Sequence, residues 1–119
     1  MKAHLRTLRR QRRYLKHLPI LDIVRFLSAT LLGTNTKIRV HLNGYTVTVR
    51  SRTSDLNVAV HSFVYEELKP ISCDSPRAII DAGANIGTSS MYLARLFPQA
   101  TIYAVEMENE NFSLLKANT

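Results

Sequence analysis

The chain has 119 residues, 45% hydrophobic and 21% charged, with four glycines, four prolines, one cysteine and a net charge of +7. That composition is globular and allows one small domain plus an appendage, not two full domains. Cys73 alone excludes an internal disulfide framework and a cysteine-based zinc site, and His4, His17, His41 and His61 show no ligand-like spacing.

The charge is uneven along the chain. Residues 1–52 carry twelve Lys/Arg and one acid, Asp22, whereas residues 53–119 carry four Lys/Arg and eight acids. A basic front therefore precedes a mildly acidic body, and the overall basicity is no argument that the whole chain binds nucleic acid. From Met1 to His17 there are seven basic residues, with Leu5, Leu8, Tyr14, Leu15 and Leu18 at roughly helical spacing. Pro19 ends or redirects that helix. Ile20, Ile23, Val24, Leu27 and Leu31 then form a second helical stripe, closed by Gly33. Asp22 and Arg25 interrupt the apolar run from Leu18 to Gly33, so it falls short of the ~18 residues of a membrane span. They spoil it equally as a signal-peptide core, which makes the cytoplasm the default compartment.

Lys37–Leu42 and Tyr45–Arg50 alternate as two strands around Asn43-Gly44, a dipeptide suited to a type I′ turn. The register predicted by a two-residue turn pairs Leu42 with Tyr45, Val40 with Val47 and Ile38 with Val49 on one buried face. Thr53-Ser54-Asp55 offers capping side chains to a helix in which Leu56, Val60, Phe63, Val64 and Leu68 share a side, although a short strand over Val58–Phe63 also fits. Pro70 and the cluster from Ser72 to Pro76 mark a connection. Beyond it the pattern becomes βαβα. Ala78-Ile79-Ile80 reads as a strand buried on both faces, followed by a helix from about Thr88 to Phe97, a strand Thr101–Val105 and a helix from Asn109 to Asn118.

Between the first such strand and helix lies Asp81-Ala82-Gly83-Ala84-Asn85-Ile86-Gly87, where open α/β sheets hold their ligands. Gly83 permits a tight turn and close backbone approach, and Gly87 relieves crowding where the helix packs on the strand. Asn85 tolerates a strained turn conformation and offers an amide. Asp81 supplies negative charge suited to an ammonium group. Glu106, at the tip of the second strand, can accept from both hydroxyls of a ribose. A dinucleotide fingerprint fits poorly, because Asn85 and Thr88 stand where G-x-G-x-x-G needs glycine. The loop suits a ligand with a cationic part and an adenosine-like ribose, as in S-adenosylmethionine.

These residues resemble the class I methyltransferases of the FkbM type. The family's string of D-x-G-A-N-I-G, F-P, a strand-end Glu and N-F-x-x-L-x-x-N has counterparts in Asp81 to Gly87, Phe97-Pro98, Glu106, Asn111-Phe112, Leu115 and Asn118. Thr53–Leu56 and Tyr65-Glu66 resemble the family's lead-in. Met107 departs from the family's usual proline and leaves ribose binding intact. The resemblance covers about residues 53–119. It implies an α/β fold holding the first two βα units of a Rossmann-like parallel sheet, preceded by N-terminal helices and a β-hairpin, as an incomplete domain. The segments are then a basic helical arm over residues 1–33, a hairpin with a helical lead-in over 34–70, and the N-terminal part of an S-adenosylmethionine-binding domain over 71–119.

The implied activity is S-adenosylmethionine-dependent methyl transfer to an oxygen of a sugar or other small metabolite. Asp81, Gly83, Asn85, Gly87, Glu106 and Met107 are the expected cofactor-binding residues; no catalytic base is assigned and no metal is expected. At roughly 30 residues per βαβ unit, the chain is expected to be the amino-terminal part of a longer enzyme or a truncated reading frame, inactive alone. The alternative is a non-catalytic nucleotide-binding remnant, or an interaction module whose basic arm contacts anionic surfaces. Sequence-specific nucleic-acid binding and a transmembrane segment are not expected. Glu108 and Glu110 read as solvated charges at a helix start, Tyr65-Glu66-Glu67 as an exposed helix end, and Cys73 as inert.

Overall fold

The computed structural model describes residues 11–33 and 35–119. Residues 11–15 are helical and residues 16–17 form a turn, while residues 1–10 of the expected basic helix lie outside the described residues. The chain divides between Val64 and Tyr65 into two compact units.

In the first unit, α1 (Ile20–Leu31) leads into β1 (Lys37–Leu42), β2 (Tyr45–Arg50) and α2 (Asp55–Phe63). The strands pair antiparallel with Leu42 opposite Tyr45, Val40 opposite Val47 and Ile38 opposite Val49, as the two-residue turn predicts. Asn43 and Gly44 have φ of +46° and +80°, the two left-handed conformations of a type I′ turn. Asn43 is pinned further by donating its Nδ2–H to Phe63 O at 2.7 Å. Ile38, Val40, Leu42, Val47 and Val49 are buried on one face, and α1 and α2 pack against the hairpin. Phe26, Leu56, Val60 and Phe63 are fully buried, each stabilising the unit by about 1.5–3 kcal/mol relative to exposure.

The unit's two acids are both interior. Asp55 Oδ2 accepts from Arg50 N–H at 2.9 Å and Nε–H at 2.8 Å, while Oδ1 accepts from Nη2–H at 2.9 Å. That occupies its carboxylate, so the start of α2 is held instead by Thr53 Oγ1 accepting from Asp55 N–H at 3.2 Å. The helix option over Asp55–Phe63 is the one adopted, but it stops short of Leu68, and Glu66 follows at φ +49°. Asp22 accepts from His41 N–H at 2.9 Å and lies 2.9 Å from His41 Nδ1.

The rotation of α1 corrects the sequence pattern. Asp22, Phe26, Ala29 and Thr30 face inward, whereas Ile20, Val24 and Leu31 are exposed. This helix is apolar nearly all round, so periodicity alone does not choose its face. Polar contacts do: Asp22 meets His41, and Thr30 Oγ1–H is shared between Phe26 O at 2.7 Å and Ser51 O at 3.2 Å.

The second unit runs β3 (Ala78–Ala82), α3 (Thr88–Leu96), β4 (Thr101–Val105) and α4 (Asn109–Asn118). β3 and β4 pair in parallel, with Asp81 opposite Ala104 and Ala82 opposite Val105. A parallel pair needs a crossover, and α3 provides it. α3 packs on β4 and α4 packs on α3, around Ile86, Leu93, Leu114 and Leu115. β3 was expected to be buried on both faces, but only Ile79 and Asp81 are partly covered, and Ile80 is 74% exposed. Tyr103 and Val105 of β4 flank it on that open face. Among the described residues the helical layer covers one side of this sheet, which leaves the alternate residues outside. The chain is thus a mixed α/β protein with a two-stranded parallel sheet beside a separate hairpin. Among the described residues no helix is long and apolar enough to cross a membrane.

Candidate functional site

The parallel register brings the loop after β3 and the residue after β4 to the same, carboxyl, end of the sheet. Gly83 and Ala84 both donate their N–H groups to Val105 O, at 2.8 and 2.9 Å. Asn85 N–H donates to Glu106 Oε2 at 2.8 Å, and Glu108 N–H donates to Glu106 Oε1 at 2.9 Å. Glu106 therefore ties the Asp81–Gly87 loop to the start of α4. The backbone N–H groups of Glu108 and Asn85 favour its ionised form and hold the carboxyl below the ordinary glutamate range.

The loop turns through three left-handed residues, Gly83 at φ +79°, Asn85 at +52° and Gly87 at +91°. Asn85 tolerates that conformation better than most side chains. The two glycines differ in their surroundings. A Cβ on Gly83 would meet nothing within 4 Å, while one on Gly87 would lie 2.8 Å from Leu115 Cδ1 and 3.1 Å from Thr119 Cγ2. Crowding at Gly87 thus comes from α4, not from the strand side that the sequence suggested.

Asp81 sits under the first turn of α3, its Oδ2 accepting from the Ser89 and Ser90 hydroxyls at 2.6 Å each. Oδ1 has no protein donor among the described residues. Ile86 O, deeper in the loop, accepts from Asn118 Nδ2–H at 2.8 Å. Met107 is 97% exposed and is not drawn onto the loop. The structure thus gathers Gly83, Asn85 and Glu106 in one bonded ledge and places Asp81 and Gly87 at its root.

Sequence reasoning gives no role to Ser89 or Ser90, and names Asn118 only as part of the resemblance, without a bonding partner. The adjacent serines in the first turn after the loop are a usable signal, since a partly covered strand-end carboxylate needs donors. Asn118 and Ile86 are 32 residues apart, a distance at which local pattern gives no signal. Glu108, an exposed charge at the start of α4, also caps that helix, its Oε2 accepting from Asn111 N–H at 2.7 Å. Glu66, beyond the end of α2, accepts from Lys69 Nζ–H at 3.0 Å and the Tyr92 hydroxyl at 3.3 Å. The Lys69 hydrogen bond holds its carboxyl below the ordinary value.

This chain is similar to part of a methyltransferase. It is 39% identical over 62 residues to the methyltransferase sdnD of Sordaria araneosa, a match covering 47% of this chain. The chain spans about a quarter of that relative's length, 24% of it. No protein-family model matches the chain, and no solved structure matches it. A mixed α/β arrangement with a parallel two-stranded sheet is compatible with part of a methyltransferase fold.

Proposed function

We propose that residues 71–119 form the N-terminal part of a Rossmann-like domain that binds S-adenosylmethionine. The whole enzyme then transfers methyl groups to an oxygen of a sugar or small metabolite, as in the FkbM-type enzymes it resembles. The observation that carries this reading is the Glu106 carboxylate, bonded to Asn85 N–H at the mouth of the Asp81–Gly87 loop. A carboxylate has about four acceptor sites. Asn85 and Glu108 N–H take one on each oxygen, and the hydroxyls of a ribose would take the remaining sites in place of the Asn111 side chain and Met107 N–H, which also hydrogen-bond to this carboxylate.

The residues present fit the cofactor. Gly83 leaves open space on its side-chain side, where a ligand can approach the backbone. Asp81 Oδ1, which has no protein donor among the described residues, suits an ammonium group. Met107 offers an exposed apolar side chain next to the ribose carboxylate, a surface on which a flat base can lie. When bound, S-adenosylmethionine supplies an electrophilic methyl group on a sulfonium, so the protein's task is to bind, orient and exclude water.

The loop's hydrogen bonding favours this ligand over a dinucleotide. Pyrophosphate sites use free backbone N–H groups at a helix start. Here the N–H groups of Gly83, Ala84, Asn85 and Gly87 are already given to Val105 O, Val105 O, Glu106 Oε2 and Ala84 O. A pyrophosphate at the loop would also meet the negative charge of Asp81, two residues before Gly83.

Isothermal titration of the full chain with S-adenosylmethionine and with NAD tests the reading. S-adenosylmethionine is expected to bind more tightly. Glu106→Ala is expected to weaken it at least about tenfold, the loss of one or more charge-assisted hydrogen bonds. Glu110→Ala, a nearby exposed charge, is expected to leave affinity unchanged. Tighter binding of NAD, or equal losses at both glutamates, overturns the proposal.

A further inference from the structure

The face of α1 that the hairpin does not cover is apolar. Ile20, Leu21, Val24, Leu31 and Leu32 are 77%, 66%, 56%, 70% and 77% exposed. Ile20, Val24, Leu27 and Leu31 recur at intervals of four, three and four, one seam along a helix of about 18 Å. Ser28 is the one polar residue within that seam. Isolated exposed leucines need no explanation, but a continuous aliphatic stripe of this kind marks a docking surface.

Its surroundings are uniformly cationic. Between α1 and β1 lies a groove of about 510 Å³ whose lining includes Val24, Leu32, Arg25, Lys37 and Arg39. Lys37 and Arg39 are exposed and have no acidic partner among the described residues. The two acids that precede Tyr65, Asp22 and Asp55, are each 2% exposed: Asp22 is bound to His41 and lies 3.7 Å from the Arg25 guanidinium, whose side chain stays 63% exposed, and Asp55 is bound to Arg50. Residues 11–33 and 35–64 therefore present seven exposed Lys/Arg and no exposed carboxylate.

From this pairing of an aliphatic seam with an acid-free basic rim we infer that α1 docks the N-terminal unit on the surface of an anionic phospholipid bilayer. The helix would lie in the interfacial plane with its seam among the acyl chains. Arg25, Lys37 and Arg39 would meet lipid phosphates from the flank. Charge selects this occupant over a symmetric dimer built on α1, because two such units meeting face to face bring like charges together with no exposed carboxylate before Tyr65 to offset them. Nucleic acid would satisfy the cations but leave the aliphatic seam in water. An anionic bilayer satisfies both.

Vesicle flotation of the full chain tests the inference, comparing phosphatidylcholine alone with phosphatidylcholine carrying roughly 30 mol% phosphatidylserine. Binding is expected only to the anionic vesicles and is expected to fall as salt rises from roughly 0.05 to 0.5 M. Each Lys or Arg at such a surface contributes about fivefold in affinity, so Lys37→Gln with Arg39→Gln should weaken binding about 25-fold. Val24→Asn with Leu31→Asn should weaken it at least about tenfold with an unchanged circular dichroism spectrum. Ser28→Leu, which completes the seam, should strengthen it at least about threefold, a gain that damaged folding does not produce.

Three results each overturn the inference: no preference for anionic vesicles, vesicle binding indifferent to the seam variants, or a solution dimer that the seam variants dissociate. Retention on single- or double-stranded DNA without vesicle binding does the same. None of these readouts depends on the cofactor, so this test and the titration with S-adenosylmethionine fail independently.

Discussion

Gly83 and Gly87 offer a matched pair of perturbations, because both are left-handed and only one is crowded. An alanine at φ +79° or +91° costs about 1–2 kcal/mol from the clash of its Cβ with the backbone. Gly83→Ala should cost no more, since its Cβ meets nothing within 4 Å. Gly87→Ala adds a contact of 2.8 Å to Leu115 Cδ1 and one of 3.4 Å to Leu115 Cα. The Cδ1 atom is at the end of a side chain, but Leu115 is 3% exposed and has little room to turn. Overpacking of a filled core costs about 1–3 kcal/mol, so Gly87→Ala should total about 2–5 kcal/mol. Urea denaturation of the full chain, followed by far-ultraviolet circular dichroism, measures both. If Gly87→Ala leaves the second unit unfolded in water, Gly87→Ala with Leu115→Ala distinguishes crowding from strain. Truncating Leu115 removes the contact, so the double variant should be more stable than the sum of the single losses predicts. Equal losses at the two glycines would falsify the assignment of Gly87 to packing against α4.

In the first unit, Asp55→Ala should cost about 3–5 kcal/mol, because it strands the Arg50 guanidinium in a site where that residue is 9% exposed; urea denaturation reads it, and a loss below about 1 kcal/mol refutes a structural role for the pair. The Glu106 carboxyl is held below the ordinary glutamate value by the Glu108 and Asn85 N–H donors, which favour its ionised form. Its bonds to the loop are therefore whole above that value and are lost only as pH falls through the depressed one, which the Asn85 amide proton shift follows by NMR. A titration of that amide centred at or above the ordinary glutamate value would contradict the geometry.

How much of this was legible in the sequence depends on the range of the interaction involved. Asn43-Gly44 dictates its turn within two residues, and the entire hairpin register follows from it. The β3–α3–β4–α4 run is equally local, with strand and helix limits marked by Gly87, Pro98 and the acids before Asn109. Rotation of α1 is not local, because Ile20, Val24, Phe26 and Leu31 are equally apolar. What selects Phe26 for the core is Asp22 meeting His41, 19 residues on. The candidate site divides the same way. Its loop and Glu106 are visible as a spacing, whereas the serines that hold Asp81 and the Asn118 amide that holds Ile86 O emerge only when helices pack. The open face of β3 follows from what lies over the sheet, which the strand's own residues do not encode.

The proposed ligand adds a reason for Glu106 to be a glutamate. Its two oxygens each take one backbone N–H, from Asn85 on one side and Glu108 on the other. These bonds fix the carboxylate plane before any ligand arrives, so a ribose would meet acceptors already oriented, and the cost of ordering the side chain falls on folding and not on binding. Aspartate would keep the charge but end one methylene short of the two amides. Where the side chain only supplies negative potential, Glu106→Asp should retain cofactor affinity. Where the span between two loops matters, as the hydrogen bonds indicate, it should lose nearly as much as Glu106→Ala. Comparing the two affinities by calorimetry separates a charge from a bridge, and wild-type affinity in the aspartate variant would refute the bridge.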